Sequence, residues 1–463
     1  MEDTIAAIAT AYGEGGIGII RISGEKARDI LNQIFEACSP NEKTDFMHRS
    51  GYRKLIYGHI IDHNKKEVVD EVLAVYMRAP KTYTTEDVVE INCHGGMIAL
   101  TKTLELVLKN GARMAEPGEF TKRAFLNGRI DLSQAEAVID IVKAKTKKGF
   151  EVSVAQLEGS LSITVRTIRE ELLKLLARVL VDLDYPDADI EELTYCDLKV
   201  DLKGIKDQID ALVETSQTGM IIKDGLKTAI IGKPNVGKSS LMNALLKEAR
   251  AIVTEIPGTT RDTIEEIINL KNIPIRLIDT AGIRETEDFI EKIGIERSKE
   301  SFNSADLVIF ILNASEELSP EDEGIIGYVK DKRTIVLLNK IDLGQKLKKQ
   351  DILDKIPQAI IINTVITTNQ GIEELENVIF DLVYAGKIKQ EDNRMITNLR
   401  HKDLLEKASL SLRDALALVE NKEALDFIEV DIKGCWELLG EIIGEMVNED
   451  IIDQVFSRFC LGK

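Results

Sequence analysis

The sequence predicts a multidomain α/β and α chain in which a doubly wound P-loop domain is inserted between two parts of a helical domain, with an α+β domain in front. Three observations carry this. Residues 232 to 240 read Gly-Lys-Pro-Asn-Val-Gly-Lys-Ser-Ser, a phosphate-binding loop set between the apolar run Thr228 to Ile231 and the helical pattern Leu241 to Leu246. Stretches of helical periodicity without proline flank that module, one between Pro117 and Pro186 and one after residue 385. The first 118 residues instead mix short apolar strands with glycine-rich turns. At 463 residues the chain is too long for one ordinary core, so two or three domains are expected.

In residues 1–118 the runs Ile5 to Ala9, Gly18 to Ile22, Glu71 to Tyr76 and Val88 to Ile91 read as strands with helical patterns between them, an α+β arrangement. Residues 119–222 read as long helices, because Ala135, Val138, Ile139, Ile141 and Val142, then Leu172, Leu173, Leu175, Leu176 and Val179, recur at helical spacing. Residues 223–384 hold the P-loop module. Residues 385–463 return to helix through Leu404, Leu405, Leu410, Leu412, Leu416 and Leu418. Helices on both sides of the module predict one helical domain with the module inserted where entry and exit lie close together.

In the module a strand delivers the chain, Gly232 and Gly237 let backbone N–H groups face phosphates, and the next helix presents its positive end. Lys238 then reaches the β/γ-phosphates and the Ser239 hydroxyl ligates magnesium. Asp279-Thr-Ala-Gly282 ends the apolar run Ile275 to Ile278, so Asp279 sits at a strand tip where it can hold the magnesium shell, and Gly282 can approach the γ-phosphate. Asn339-Lys340-Ile341-Asp342 ends the run Thr334 to Leu338. Asp342 can accept both the ring N–H and the exocyclic amino group of guanine, a donor pair that adenine lacks. Between them Pro257 to Asp262 forms a polar loop in which Thr260 completes the magnesium shell when the γ-phosphate is present. In this order and spacing the motifs specify a Ras-like guanine-nucleotide switch.

Two positions depart from the Ras pattern. Ile283 stands where Ras-like enzymes carry the glutamine that orients the attacking water, so hydrolysis needs another arrangement. The segment Arg284 to Glu291 offers four carboxylates, either one of which orients water or all of which form a solvated acidic loop. Asn235 is either a ligand for a monovalent cation replacing an arginine finger or a plain turn residue.

Hydrophobic residues at 44% and charged residues at 30% describe a globular chain, and no run approaches the ~20 apolar residues of a membrane span. The start Met1-Glu-Asp does not read as a signal peptide. Five scattered cysteines without metal spacing fit a reducing cytosol. The net charge of −19 argues against a general nucleic-acid coat or an RNA-binding scaffold. A local basic face remains open at Lys143, Lys145, Lys147 and Lys148, with Lys122, Arg123 and Arg129 upstream. That cluster is either an RNA site or a solvated helix face.

Three stretches outside the module resemble one family. Asp3 to Thr10 with Gly15 to Gly24, Glu116-Pro-Gly-Glu-Phe-Thr-Lys-Arg-Ala-Phe-Leu-Asn127, and the terminal Phe459-Cys-Leu-Gly-Lys463 are similar to the MnmE (TrmE) family of tRNA modification GTPases. The resemblance implies a cytoplasmic homodimer joined through N-terminal folate-binding domains, bound to 5-formyl-tetrahydrofolate or a related one-carbon donor. It implies work with the flavoprotein MnmG, as a heterotetramer, to install an aminomethyl or carboxymethylaminomethyl group on carbon 5 of the wobble uridine of certain tRNAs. Folate contacts map to Arg21, Glu90, Arg129 and Lys463, with Arg129 standing where family members often carry lysine. Read without the family, Arg21 and Glu90 are equally plain surface charges at strand ends.

For the module, the resemblance implies GTP hydrolysis stimulated by potassium and by meeting of the two nucleotide domains. Potassium maps to Asn235, Thr254, Ile256 and Thr259, magnesium to Ser239 and Thr260, and the water-orienting acid to Glu291, beside Lys238 and Gly282. Nucleotide contacts map to Asn235, Val236, Gly237, Lys238, Ser239, Ser240, Thr254, Thr260, Asp279, Thr280, Ala281, Gly282, Asn339, Lys340 and Asp342. The last guanine-contacting loop, usually Ser-Ala-Lys-like and acting through backbone N–H groups, is Asn363-Thr-Val-Ile-Thr367 here. Cys460 is a candidate functional cysteine, either a reactive nucleophile or a buried hydrophobe; as a prenylation signal, Cys460-Leu-Gly-Lys463 fits badly. A ribosome-assembly or signalling switch without modification chemistry is the alternative reading, and folate binding separates the two.

Overall fold

The computed structural model describes residues 3–11, 13–38, 53–184, 194–248, 266–278, 302–384 and 394–463. These form two compact units, the first from residues 1–139, 161–165 and 440–463 and the second from 140–160 and 166–439.

The first unit is built on a sheet of seven strands: β1 (Ile5–Ile8), β2 (Ile17–Ser23), β3 (Phe35–Ala37), β4 (Ile56–Asp62), β5 (Glu67–Met77), β6 (Val88–His94) and β7 (Arg113–Met114). Their order is β3-β4-β5-β6-β2-β1-β7, antiparallel except where β7 joins β1. In β2 and β4 buried and outward residues alternate, the period of a sheet covered on one face. Helix α1 (Ala27–Ile34) closes that face with Ala27, Ile30, Leu31 and Ile34, spaced so that all four fall on one side. Helix α2 (Met97–Lys109) adds Leu100, Leu104 and Val107 to the same core.

Helix α3 (Glu119–Leu126) is fixed to this sheet by charge. Arg123 has no exposed side-chain surface; its guanidinium donates to the Asp3 carbonyl at 3.0 Å, the Asp3 carboxylate at 2.9 Å, Glu86 at 3.1 Å and Glu119 at 3.1 Å. Arg113 binds Asp3 and Glu119 from the other side. Burial alone would raise the carboxyl pKa values of Asp3 and Glu119, but the guanidinium hydrogen bonds outweigh it and hold both below the usual carboxylate range. The C-terminus belongs to the same unit. Leu461 packs against the cluster of Ile5, Ala7, Ala115 and Phe120, and a Cβ on Gly462 would stand 2.4 Å from the Ile8 carbonyl.

The second unit carries α5 (Lys147–Leu157), most of α6 (Ser160–Asp184), and the thirty-residue α7 (Tyr195–Asp224), the latter opened by a capping box between Thr194 and Asp197; α4 (Leu132–Lys143) crosses the division between units. Gly225, at φ +93°, ends α7 and turns the chain directly into β8 (Leu226–Ile231). The sheet that follows adds β9 (Glu266–Leu270), β10 (Ile273–Ile278), β11 (Leu307–Asn313), β12 (Thr334–Asn339) and β13 (Ile360–Thr364) in the order β13-β12-β11-β8-β10-β9. All neighbours are parallel except β9. Strands β11 and β12 are buried at every residue, as parallel strands covered on both faces must be. Helices α8 (Lys238–Glu248), α9 (Pro320–Val329), α10 (Lys349–Leu353) and α11 (Ile372–Tyr384) complete the doubly wound layer.

Helix α12 (Leu399–Glu420) packs along α7 in the same unit, which also holds most of α13 (Leu425–Ile443). One apolar cluster joins the two architectures: Val152 of α5, Ile222 of α7 and Met395 lie in it with Ile230, Leu277, Ile309 and Leu337 of the sheet. A Cβ on Gly219 would fall 2.3 Å from the Ile396 carbonyl, so α7 and the returning chain touch backbone to backbone.

The multidomain α/β and α class expected from sequence is the class observed. Three details differ. Strand β5 begins at Glu67, four residues before its apolar part, because Glu67 and Glu71 point outward while cross-strand bonding to β4 continues. Leu173, Leu410 and Val142 are exposed, and on α12 the inner stripe is carried by His401, Leu404, Leu405, Ala408, Leu412, Ala415 and Val419, so small residues and a histidine take positions that a count of leucines passes over. The basic cluster loses two members to the interior, since Lys148 is 4% exposed and Arg123 fully buried.

Arg123→Met should destabilise the first unit by about 3–5 kcal/mol, since it removes the buried cation shared by Asp3, Glu86 and Glu119 and leaves Arg113 to pair with only two of them. Hydrogen exchange of the β1 and β2 amides reads this directly, and unchanged protection would refute the role of the network. Because the carboxyl pKa values are depressed, the stabilisation is present above their ordinary values near ~4 and lost as pH falls below them.

Candidate functional site

Strand β8 runs through the core and releases the chain at Gly232. At φ +150° its Cβ position would lie 2.5 Å from the Ile311 carbonyl, and that of Gly237, at φ +114°, 2.4 Å from Asn339 Nδ2. Only glycine fits either place. Asn235 between them is left-handed at φ +61°, a conformation that asparagine tolerates. Helix α8 starts at Lys238, with Ser239 and Ser240 exposed in its first turn beside its free N–H groups. Lys238 Nζ donates to the carbonyls of Gly232 at 2.6 Å and Lys233 at 2.9 Å. Burial pulls its pKa below the ordinary lysine value, a penalty on the charged form that an anionic partner would offset.

Asn339 at the end of β12 holds the loops around this site together. Its Nδ2 donates to the Val236 carbonyl at 2.7 Å, its Oδ1 accepts from the Ile366 amide at 3.1 Å, and its own carbonyl accepts from the Ala314 amide at 2.8 Å. At 4% exposure these bonds are shielded from water. Lys340, left-handed at φ +64°, reaches the Asn235 carbonyl with Nζ at 2.8 Å. Asp342 is exposed in the short turn Ile341–Leu343, its carboxylate open to a base. Of the stretch Asn363 to Thr367, Asn363 and Thr364 are the last two residues of β13, and the turn after them contributes the Ile366 amide to the Asn339 clamp.

Thr254, Ile256, Thr259, Thr260, Asp279, Thr280, Ala281, Gly282, Ile283 and Glu291 lie outside the described residues. Asp279 follows the last residue of β10. Among the described residues no cluster of three or more His, Cys, Asp or Glu can hold a metal, and the ligands mapped here, Ser239 and Asn235, are neutral oxygen donors.

A second charged site lies in the first unit. Arg21 and Glu90 face each other across β2 and β6, with Arg21 Nε donating to Glu90 at 2.9 Å. Arg21 Nη1 donates to the Gly462 carbonyl at 3.3 Å, and its guanidinium lies 5.4 Å from the Tyr83 ring and 5.7 Å from Phe120. Arg129 stands 4.6 Å over the same Tyr83 ring. Thus two of the four mapped folate residues, Arg21 and Arg129, meet at one tyrosine, with Glu90 and the backbone of the C-terminal motif against Arg21. Lys463, next in the chain, is half-buried, and Cys460 is exposed, which excludes the buried-hydrophobe reading. Tyr83 gave no sequence signal beyond an aromatic in a loop. Arg123 lay inside the quoted motif, but its burial did not show.

A family model described as the MnmE helical domain matches residues 132–460, and one described as the GTP-binding protein TrmE N-terminus matches residues 4–129. The chain belongs to the MnmE (TrmE) family. The family's tRNA modification GTPase MnmE from Alkaliphilus oremlandii (strain OhILAs) is 55% identical over all of both chains, that of Clostridioides difficile (strain 630) 54%, and that of Alkaliphilus metalliredigens (strain QYMF) 53%, again end to end. A solved G domain of the T. maritima FeoB iron transporter covers 34% of this chain and 97% of its own at 27% identity, with a TM-score of 0.25, too low to bear on the fold. Among the described residues no helix is long and apolar enough to cross a membrane.

Asn339→Ala removes two side-chain bonds at once, each worth about 1–3 kcal/mol when its partner is left buried. GTP and GDP should both bind at least tenfold more weakly, as measured by isothermal titration, and equal affinity would refute the clamp.

Proposed function

We propose that this chain is the GTP-hydrolysing component of a cytoplasmic tRNA-modifying complex. It acts as a homodimer with the flavoprotein MnmG and adds an aminomethyl or carboxymethylaminomethyl group to carbon 5 of the wobble uridine of certain tRNAs. The observation that carries this reading is a complete phosphate-loop and Asn339 clamp in a chain more than half identical, end to end, to tRNA modification GTPases.

On this reading the labour divides as the family resemblance implies. The α8 N-terminus and Lys238 bind the phosphates, Ser239 with Thr260 holds magnesium, and Asp342 accepts the guanine donors. Asn235, Thr254, Ile256 and Thr259 hold potassium, which supplies the charge that an arginine finger supplies elsewhere, while Glu291 orients water in place of the glutamine missing at Ile283. The domain scheme is 1–118, 119–222, 223–384 and 385–463. In the first of these, with the C-terminal motif, Arg21, Arg129 and Lys463 meet the carboxylates of 5-formyl-tetrahydrofolate or a related donor, and Glu90 pairs with pterin N–H groups. Cys460, the exposed second residue of this motif, is open to solvent chemistry.

Nucleoside mass spectrometry of tRNA from cells lacking the gene should show wobble uridine without the carbon-5 substituent, and an unchanged nucleoside profile would refute the proposal. GTP turnover should be several-fold faster in potassium than in sodium at equal ionic strength. Equal rates would remove Asn235 from the cation site.

A further inference from the structure

The loop between β11 and α9 presses on the phosphate-binding loop through one side chain that the nucleotide motif leaves without a role. We propose that Lys233 is a positioning residue, tethering the phosphate-binding loop to the β11–α9 loop through Glu316 and Asp322 and so fixing the carbonyl that holds Lys238. The inference rests on the nucleotide reading of the site above.

The geometry is continuous. Lys233 Nζ lies 2.7 Å from Glu316 Oε2 and 3.4 Å from Asp322 Oδ2, and its side chain is only 15% exposed. The Lys233 carbonyl accepts from Lys238 Nζ at 2.9 Å, so the residue that orients the phosphate lysine is itself pinned at its far end. Each anchor is in turn fixed. Glu316 Oε1 accepts from Asn313 Nδ2 at 2.5 Å, and Asn313 is the last residue of β11. Asp322 is 2% exposed and caps α9 through the Ser319 amide and hydroxyl, and its Oδ1 is buried with no hydrogen-bond partner. An almost buried carboxylate is costly without a nearby cation, and Lys233 supplies one, 3.4 Å from the oxygen that caps α9.

The charge balance agrees. Burial alone would lower the Lys233 pKa, but the Glu316 hydrogen bond and the Asp322 and Glu316 charges raise it. Glu316 is held below the usual carboxylate range, first by its bond to Lys233, with Asn313 and the charge of Lys340 adding to it. Lys340, whose charge also acts on Glu316, donates to the Asn235 carbonyl of the same phosphate loop. A tether of this kind acts on the loop before any nucleotide arrives, so its loss should speed release of GDP and GTP alike.

The test is stopped-flow release of N-methylanthraniloyl-GDP and N-methylanthraniloyl-GTP from the full chain. Glu316→Gln, whose side chain is 52% exposed, should fold with an unchanged thermal midpoint and release both nucleotides about twofold to fivefold faster, the size expected of a partly exposed ion pair. The excess should shrink when tetramethylammonium chloride is added at constant potassium, because salt screens the pair. Lys233→Arg should restore slow release, and Lys233→Met combined with Glu316→Gln should be no faster than Lys233→Met alone. Wild-type release rates in Glu316→Gln, an excess indifferent to salt, or additive effects in the double variant would each overturn the tether. Failure of the wild-type chain to bind either nucleotide would instead overturn the nucleotide reading on which it rests.

Discussion

The nucleotide site depends on one buried amide. Asn339 ends a strand with no exposed residue, so it cannot move without unmaking the sheet, and from that fixed point it bonds the phosphate loop on one side and the Ile366 loop on the other. The two loops are thereby held from a common origin. The same residue's carbonyl holds Ala314, which places the β11–α9 loop in register with both. Three loops from three strand ends would otherwise each lose conformational freedom independently on binding; tied to one amide they are ordered in advance.

The first unit is ordered by a different physics. What fastens helix α3 to its sheet is a buried guanidinium among carboxylates together with Phe120, which packs with Ile5 and Ala7 of β1. Such a network is costly to desolvate and is tolerated when most of its polar atoms find partners. It makes the start of β1, the Glu86 loop and α3 interdependent, and these elements flank the Tyr83 platform on which Arg21 and Arg129 meet. A chain that gathers two guanidinium groups on one ring needs rigid walls behind them, since like charges separate wherever they can.

How much of this was legible in the sequence follows from what each signal depends on. The strand–loop–helix around Gly232 and Lys238 was readable because its requirements are local: φ values that only glycine adopts and a helix start at a fixed spacing. The Asn339 motif was readable for the same reason, yet its role as a clamp was not, because Val236 and Ile366 lie far from it along the chain. Arg123 and Lys148 were misread as surface charge since nothing in a run of basic residues announces that its neighbours in space are carboxylates or apolar walls. Tyr83 and Glu316 were invisible, being single residues in loops whose meaning comes only from partners brought together by the fold. The helices were found and their faces partly missed, because alanine and histidine line the interior of α12 where leucine was counted.

Helix α7 enters the sheet with a single residue between them, and its lower turns share a core with β8 and β11. Thirty residues at a rise of ~1.5 Å make a rod of about 45 Å. Such a rod is stiff along its axis, so a tilt of about 5° at Gly225 moves its Thr194 end by about 4 Å. The glycine is therefore a fulcrum, and α7 with its partner α12 is a lever arm whose short end is the strand leading to the phosphate loop. A small angle at the strand end is thus a distance of several ångströms at the Thr194 end.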